Sequence, residues 1–174
     1  MKIFWLGFLA AMFVLPLGVA TYFRLGFADV QSDAPPSAWE SKIMSVAVRQ
    51  AIVRRATQQP PADLENEERL VEGGKLYVNG CTGCHGGLGK PPGKDWSHFP
   101  PVPQLPASGT HYTAAQSYWI VKHGIRMTAM SAYGPFYSEQ QLWGIAAFLQ
   151  NIRSLPPGVQ ERILAKPASP PAAN

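Results

Sequence analysis

The stretch Cys81-Thr82-Gly83-Cys84-His85 holds both cysteines of this 174-residue chain, two residues apart and followed directly by a histidine. A cysteine pair at this spacing occurs in redox-active dithiols, in zinc sites and at the attachment points of c-type haem. The sequence around the pair, and the other metal-binding side chains, allow these three chemistries to be compared.

The first two chemistries find little support elsewhere in the chain. A structural zinc ion needs four protein ligands, and there is no second cysteine pair, while His98 and His111 each stand alone, as does His123. A thioredoxin-like dithiol is expected at the start of a helix that follows a strand, whereas this pair follows a helical pattern and enters a proline-rich loop. A disulfide between the two cysteines would close too small a loop to stabilise a domain much.

The five residues match the attachment signature of c-type haem, which is therefore the favoured interpretation. Thiols three positions apart suit the two vinyl groups of one haem, and the next residue, His85, is then brought under the iron as its proximal ligand. Between Cys84 and about Ser108 the sequence has six prolines and no periodic pattern. Such a long loop is usually functional, and a haem would supply the apolar surface that a small helical domain lacks.

The N-terminal segment is apolar, with no charged residue between positions 3 and 23. As a helix rising about 1.5 Å per residue, it would cover roughly 30 Å, which is the thickness of a bilayer core. With Lys2 before it, Arg24 after it and aromatic residues near both ends, we expect a single-pass membrane anchor over residues 1–27. The rival interpretation is a cleaved signal peptide, although this apolar region is unusually long for one. Either way, the rest of the chain is predicted to be exported.

The remaining sequence has helical patterns and no strand signal. We expect a linker over residues 28–62 with one helix near residues 39–58, a domain over 63–155 and a tail over 156–174. Asp63 or Asn66 would cap a helix that runs into the cysteines, and two more helices are expected near residues 113–122 and 138–152. The proline- and alanine-rich tail is expected to be disordered or to lie on a partner. In the linker helix, apolar residues recur at steps of three and four at Ile43, Ala47, Val48, Ala51 and Ile52.

Charge is sparse, at 15% of residues, with a net charge of +4. No cluster of lysine or arginine is dense enough to predict nucleic-acid binding, so we expect none. The positive charge instead favours docking with an acidic partner or an anionic membrane surface.

Three further motifs accompany CTGCHG (81–86): GGKLYVNG (73–80) before it, then PVPQL (101–105) and GIRMTAMSAYG (124–134) after it. In this order and spacing, the sequence resembles class I cytochromes c over residues 66–154. The resemblance implies an all-α, small cytochrome c-like helical domain around one covalently attached haem c, here preceded by a transmembrane helix. Cys81 and Cys84 would form the thioether bonds.

The resemblance also implies the second axial ligand of the iron. The methionine of the family lies in the segment before the last helix and matches Met130, where Ser131 replaces the usual proline and removes a φ constraint on the loop. Met127 is expected to line the haem pocket. Ligation by His111 or His123 in place of Met130 is the less favoured alternative.

Several supporting residues follow from the same resemblance. Pro103 matches the proline whose carbonyl accepts a hydrogen bond from the proximal imidazole, with Pro101 as a competitor. Gly73 and Tyr77 match the positions where the first helix crosses the last, whose matching residues are Ile145 and Phe148. Side chains that could meet the haem propionates are Trp96, Tyr112, Trp119 and Arg126.

We therefore expect a membrane-anchored monohaem cytochrome c that passes single electrons from a redox protein donor to an acceptor and is not itself an enzyme. The lipid bilayer would bind residues 3–23, and the haem domain would lie on the periplasmic side of a bacterial inner membrane. The chain would be free-standing or would join other subunits of a membrane complex. The alternative is a haem-based sensor or peroxidase-like protein in which the Met130 bond is labile.

Overall fold

The structure is a computed structural model, which describes residues 2–31, 34–89 and 98–165. The helices of this part of the chain are α1 (Lys2–Arg24), α2 (Ala38–Arg55), α3 (Glu67–Gly80), α4 (Thr82–His85), α5 (Leu105–Ser108), α6 (Ala114–His123), α7 (Glu139–Asn151) and α8 (Pro157–Leu164). The five longest of them begin and end close to the predicted positions, whereas the shorter helices α4, α5 and α8 were not predicted. The described residues contain no strand, which confirms the all-α prediction. Trp96, in the segment 90–97, and the tail end 166–174 lie outside the described residues.

The chain divides into two compact units between Ala34 and Pro35, and the first consists mainly of α1. Its segment Gly7–Arg24 is long and apolar enough to cross a membrane. The large apolar side chains described in this helix are exposed. A helix that is apolar on all sides suits a lipid environment, in agreement with the predicted anchor.

The second unit is organised around the crossing of α3 and α7. A Cβ atom on Gly73 would overlap the carbonyl group of Gly144, so the two backbones touch where neither has a side chain. One turn further along, the buried rings of Tyr77 and Phe148 pack with their centroids 5.1 Å apart. The predicted crossing is confirmed, and Gly144 is an additional residue that makes it possible.

The helix α6 packs beside this crossing. Its first turn is fixed by a cap, and one of its sides contacts α7. Thr113 caps α6, and Ser138 caps α7 in the same way, each within a capping box closed by a glutamine three residues later. The ring of Tyr118 on α6 stacks on Trp143 of α7, with a centroid distance of 4.1 Å. These contacts fix the two helices that flank the Met130 loop.

The tail prediction is wrong for residues 157–164, which form α8 and pack on α3. Val159 and Ile163, four residues apart on one face, are both buried. Arg162 donates to Glu67 and Glu68 in the first turn of α3, each at 2.6 Å. The segment is therefore held by two buried apolar side chains and two surface ion pairs, which could not be recognised in its proline-rich sequence.

The linker helix α2 contacts the core through its C-terminal half only. Ile52 is buried and Val48 and Ala51 are half-buried, whereas Ile43 and Ala47, which share the predicted apolar pattern, are exposed. Since α2 and α8 lie in the same unit as α3 to α7, this unit extends beyond the predicted boundaries 63–155 at both ends.

Candidate haem-binding site

The cysteines lie on a single helical turn that continues from α3. Cys81 ends α3 and precedes α4, and its carbonyl oxygen accepts hydrogen bonds from the amides of Cys84 at 3.2 Å and His85 at 2.9 Å. Residues three apart on such a turn share one face, so the two thiols lie on the same side. Both thiols are free of disulfide bonds.

The imidazole of His85 is oriented by a backbone carbonyl. Its Nδ1 lies 3.0 Å from the carbonyl oxygen of Pro103. A carbonyl oxygen can only accept, so Nδ1 carries the proton and Nε2 of the neutral ring keeps its lone pair. This is the tautomer that a metal ligand bonding through Nε2 requires.

An apolar cavity with an empty volume of about 320 Å³, its open mouth included, lies beside this turn. Cys81 and His85 contribute to its wall from one segment, and Met130 contributes from another some fifty positions away. Cys84 is exposed and is not part of the lining. The other lining residues are Tyr77, Leu105, Val121, Tyr133, Ile145 and Leu149.

This wall suits a haem and does not suit a zinc ion. Apart from the imidazole, the thiol and the thioether, its residues are aliphatic or aromatic, as a large apolar macrocycle requires. Among the residues that the structure describes, no group of three or more histidine, cysteine, aspartate or glutamate side chains could hold a metal ion. The zinc interpretation therefore lacks its ligands there.

The Met130 loop is held against the end of α6 by backbone hydrogen bonds. The amide of Ile125 donates to the Met130 carbonyl, and the amides of Tyr133 and Gly134 donate to the last turn of α6, all at 3.0 Å. The amide of Met130 itself donates to the Thr128 hydroxyl at 3.1 Å. The loop is thus restrained by hydrogen bonds although Ser131 lacks the proline ring.

Gly124 allows this close approach. It ends α6 with a φ of +65°, and a Cβ atom there would come within 2.6 Å of the Met130 carbonyl oxygen. A side chain at this position would therefore be strained and would also displace the loop.

Two tyrosine hydroxyls bond the backbone next to the cysteines, one from the Met130 segment and one from α3. The Tyr133 hydroxyl donates to the carbonyl of Gly80, the residue before Cys81, at 3.2 Å. The Tyr77 hydroxyl donates to the carbonyl of Gly86 at 2.7 Å and approaches that of His85 at 3.2 Å. Both rings also line the cavity, so they combine an apolar wall with polar anchoring of the Cys81–Gly86 turn.

Residues 68–149 match the family model described as cytochrome C oxidase, cbb3-type, subunit III. These residues form a c-type cytochrome domain. No curated protein and no solved structure matches the chain. The matched residues lie within residues 66–154, the span that resembles class I cytochromes c. Because c-type cytochrome domains carry electrons on a haem, the domain is a haem-based electron-transfer module.

Gln104 is a residue of the cytochrome domain that the sequence did not single out. Its Nε2 donates to the Cys84 carbonyl at 3.0 Å, directly beside the contact between Pro103 and His85. Its Oε1 is buried and has no hydrogen-bond partner among the residues that the structure describes. A Cβ atom on Gly86 would lie 2.8 Å from this oxygen, and Gly86 also has a φ of +84°. Only the position of Gln104, next to the motif proline, could have drawn attention to it.

Other side chains expected near the haem lie elsewhere in the cytochrome domain. Met127 was predicted to line the pocket, and this is wrong: it is 86% exposed and has a φ of +60°, which turns its side chain into solvent. The two alternative ligands and the described propionate candidates are also absent from the cavity lining, namely His111, His123, Tyr112, Trp119 and Arg126.

The thiol of Cys81 is not suited to act as a redox nucleophile. Burial raises its pKa to about 11, with a further contribution from the neighbouring Cys84 thiolate. Reactive thiols of dithiol enzymes have lowered pKa values, because only the thiolate attacks. The microenvironment of Cys81 therefore opposes the dithiol interpretation.

Proposed function

We propose that this chain is a one-electron carrier whose single haem c is attached through Cys81 and Cys84 and held between His85 and Met130. The observation that supports this most is the apolar cavity to which Cys81, His85 and Met130 all contribute. The haem, when bound, would supply an iron that alternates between the ferrous and ferric states. If His85 and Met130 both held the iron, they would leave no position for a substrate, so the proposed role is electron transfer and not catalysis.

The residues around the cavity have defined parts in this proposal. The Pro103 carbonyl accepts a hydrogen bond from Nδ1 of His85, which would leave Nε2 free to bind the iron and would increase the basicity of the ring. The thioether of Met130 is a soft, neutral donor, which favours the reduced state and raises the reduction potential. The aliphatic and aromatic walls exclude water and so disfavour an extra charge on the haem.

We also propose that α1 anchors the chain through residues 3–23 in a bacterial inner membrane, with the cytochrome domain on the periplasmic side. The helix has the length and composition of a membrane span. The family model is described as a cytochrome oxidase subunit, which supports assembly with other subunits of a membrane complex. The direct partners would be a redox protein donor and a redox protein acceptor.

The alternative is a haem-based sensor or peroxidase-like protein, which would need a labile bond to Met130. The hydrogen bonds that tie residues 125–134 to the end of α6 argue against such mobility.

Covalent attachment and closed coordination can be tested together on the purified, haem-loaded chain. Thioether bonds survive denaturation, so the wild type should keep its haem on a denaturing gel, and the Cys81→Ser/Cys84→Ser double variant should lose it. Ferrous protein should give no spectral change with carbon monoxide. Extraction of the haem from the denatured wild type would contradict the attachment, and ready binding of carbon monoxide would favour the alternative.

The subunit question needs a separate experiment. Extraction of the membranes with a gentle detergent should yield this chain together with other proteins. A monodisperse single chain would support the free-standing carrier.

A further inference from the structure

The helix α2 carries a second apolar stripe that faces away from the core. Four apolar residues lie on one side of the helix at steps of three or four positions, with Gln50 between the last two. They are Trp39, Ile43, Val46 and Val53. Each of the four apolar side chains is between 54% and 67% exposed. The half-buried and buried positions, Val48, Ala51 and Ile52, lie on other sides.

A soluble helix is normally apolar only on the side that it buries. In α2 the apolar residues occupy two roughly opposite sides, and the core covers only one of them. The ten residues 38–47 are exposed on every side, so the outer stripe is not a by-product of packing. It has the composition of a surface that a partner covers.

Basic side chains border this stripe. At 100° per residue, Lys42 and Arg49 fall along one edge of it and Arg54 along the other. The helix contains four basic residues, counting Arg55, and a single acidic one, Glu40. Long basic side chains can lay their apolar stems along a membrane surface while their charges reach the lipid phosphates.

We infer that α2 is an interfacial helix whose outer stripe lies on an anionic lipid bilayer. The helix as a whole is not amphipathic, because its inner side is apolar as well. The outer stripe by itself, with an aromatic residue and aliphatic residues bordered by Lys and Arg, has the composition of the lipid-facing side of a helix that lies on a membrane surface. The excess of positive charge complements anionic headgroups.

The position of α2 in the chain supports a lipid partner over a soluble protein. Only thirteen residues, 25–37, separate it from the end of the helix that is long and apolar enough to span a membrane. Fully extended, these residues reach at most about 45 Å, so α2 starts within that distance of the end of α1. The inference rests on the proposed anchoring of α1 in a membrane, and a bilayer around α1 is then a surface that the linker allows α2 to reach.

The depth of α2 in the membrane can be measured on the full haem-loaded chain in vesicles of phosphatidylcholine with or without phosphatidylglycerol. A cysteine introduced as Val46→Cys would carry a nitroxide label, with Ser41→Cys, on the side away from the stripe, as the matched control. Wild-type protein treated with the same reagent gives the background from any chain whose Cys81 or Cys84 is not bonded to haem. Both substituted positions are exposed, and the haem spectrum checks that each variant is folded.

In the anionic vesicles, the label at Val46 should be relaxed by oxygen, which concentrates in lipid, and protected from a water-soluble nickel chelate, while the label at Ser41 shows the reverse. The charge reversal Lys42→Glu/Arg49→Glu should return the Val46 label to the aqueous pattern. A Val46 label that is fully accessible to the nickel chelate in the anionic vesicles would overturn the inference. A label protected from both reagents would also overturn it, because it would place a protein, such as another subunit or a second copy, on the stripe. None of these readouts depends on the axial ligands of the haem.

Discussion

The Nδ1 atom of His85 lies 3.0 Å from the carbonyl oxygen of Pro103, and this contact joins the cysteine-containing turn to the loop that follows it. The next residue, Gln104, makes a second link to the same turn through the carbonyl of Cys84. Two consecutive residues thus hold the side chain of His85, the proposed proximal ligand, and the backbone of the residue before it. These hydrogen bonds of the protein alone therefore orient His85.

Gln104→Ala should weaken this link. Loss of one hydrogen bond of this kind costs about 0.5–1.5 kcal/mol in the free energy of unfolding, and a less restrained His85 should shift the reduction potential. Denaturant titration and potentiometry of the haem-loaded protein measure both effects. The matched control is Gln140→Ala at an exposed position of α7, which should change neither. Identical stabilities and potentials in the two variants would contradict a role for Gln104.

Gly73→Ala should disrupt the crossing of α3 and α7, since the new methyl group would overlap the Gly144 carbonyl. Overpacking of this kind costs about 1–3 kcal/mol or more, because backbone atoms cannot rotate away. Gly158→Ala is the control, since it also lies in a helix but has nothing within 4 Å of the added Cβ. That variant should be unchanged or more stable by up to about 1 kcal/mol. Equal effects of the two changes on thermal unfolding would rule out the close crossing.

Gly124→Ala should loosen the proposed bond to Met130. The substitution strains a residue at φ +65° and pushes against the backbone of residues 130–132. Gly109→Ala carries a similar conformational strain at φ +70°, but its Cβ meets only the flexible side chain of Arg153. Ferrous Gly124→Ala protein should therefore bind carbon monoxide, whereas Gly109→Ala should resemble the wild type. If neither variant binds carbon monoxide, Gly124 does not control the loop.

Ile163→Ala tests whether α8 belongs to the folded domain. The side chain is 3% exposed, and its removal should lower the free energy of unfolding by about 2–5 kcal/mol. The neighbouring Leu164 is 50% exposed, so Leu164→Ala should change stability by no more than about 0.5 kcal/mol. If denaturant titrations gave the same free energy of unfolding for both variants and the wild type, the tail would be disordered and the prediction would be contradicted.

The parts of the fold that follow from local chemistry could be predicted from the sequence. Asn66, Thr113 and Ser138 cap helices where their side chains allow it, and the cysteine motif with its histidine marks one segment of the cavity. Gly73 and Tyr77 could be assigned to the helix crossing because the family pattern has a small residue and an aromatic residue at those two positions, where the helices come close and a ring fills the contact.

The parts that depend on contacts between distant segments could not. The tail helix α8 looked disordered because the segment 156–174 around it is rich in proline and alanine, and only the contact of Val159 and Ile163 with α3 explains it. Likewise, Gly144, Gln104 and the hydroxyl of Tyr133 act through partners that are remote in sequence. The prediction that Met127 lines the pocket was wrong because nothing in the sequence marks this methionine as a residue with a positive φ.

The most direct test of the central claim is the ferric absorption spectrum of the haem-loaded protein with Met130→Ala, compared with Met127→Ala. Methionine ligation gives a weak long-wavelength charge-transfer band in the ferric state, an expectation that rests on the resemblance to class I cytochromes c. Because Met130 lines the cavity and Met127 is exposed to solvent, the band should vanish in Met130→Ala and persist in Met127→Ala. A band that survives in Met130→Ala, or disappears in Met127→Ala, would contradict the proposed site.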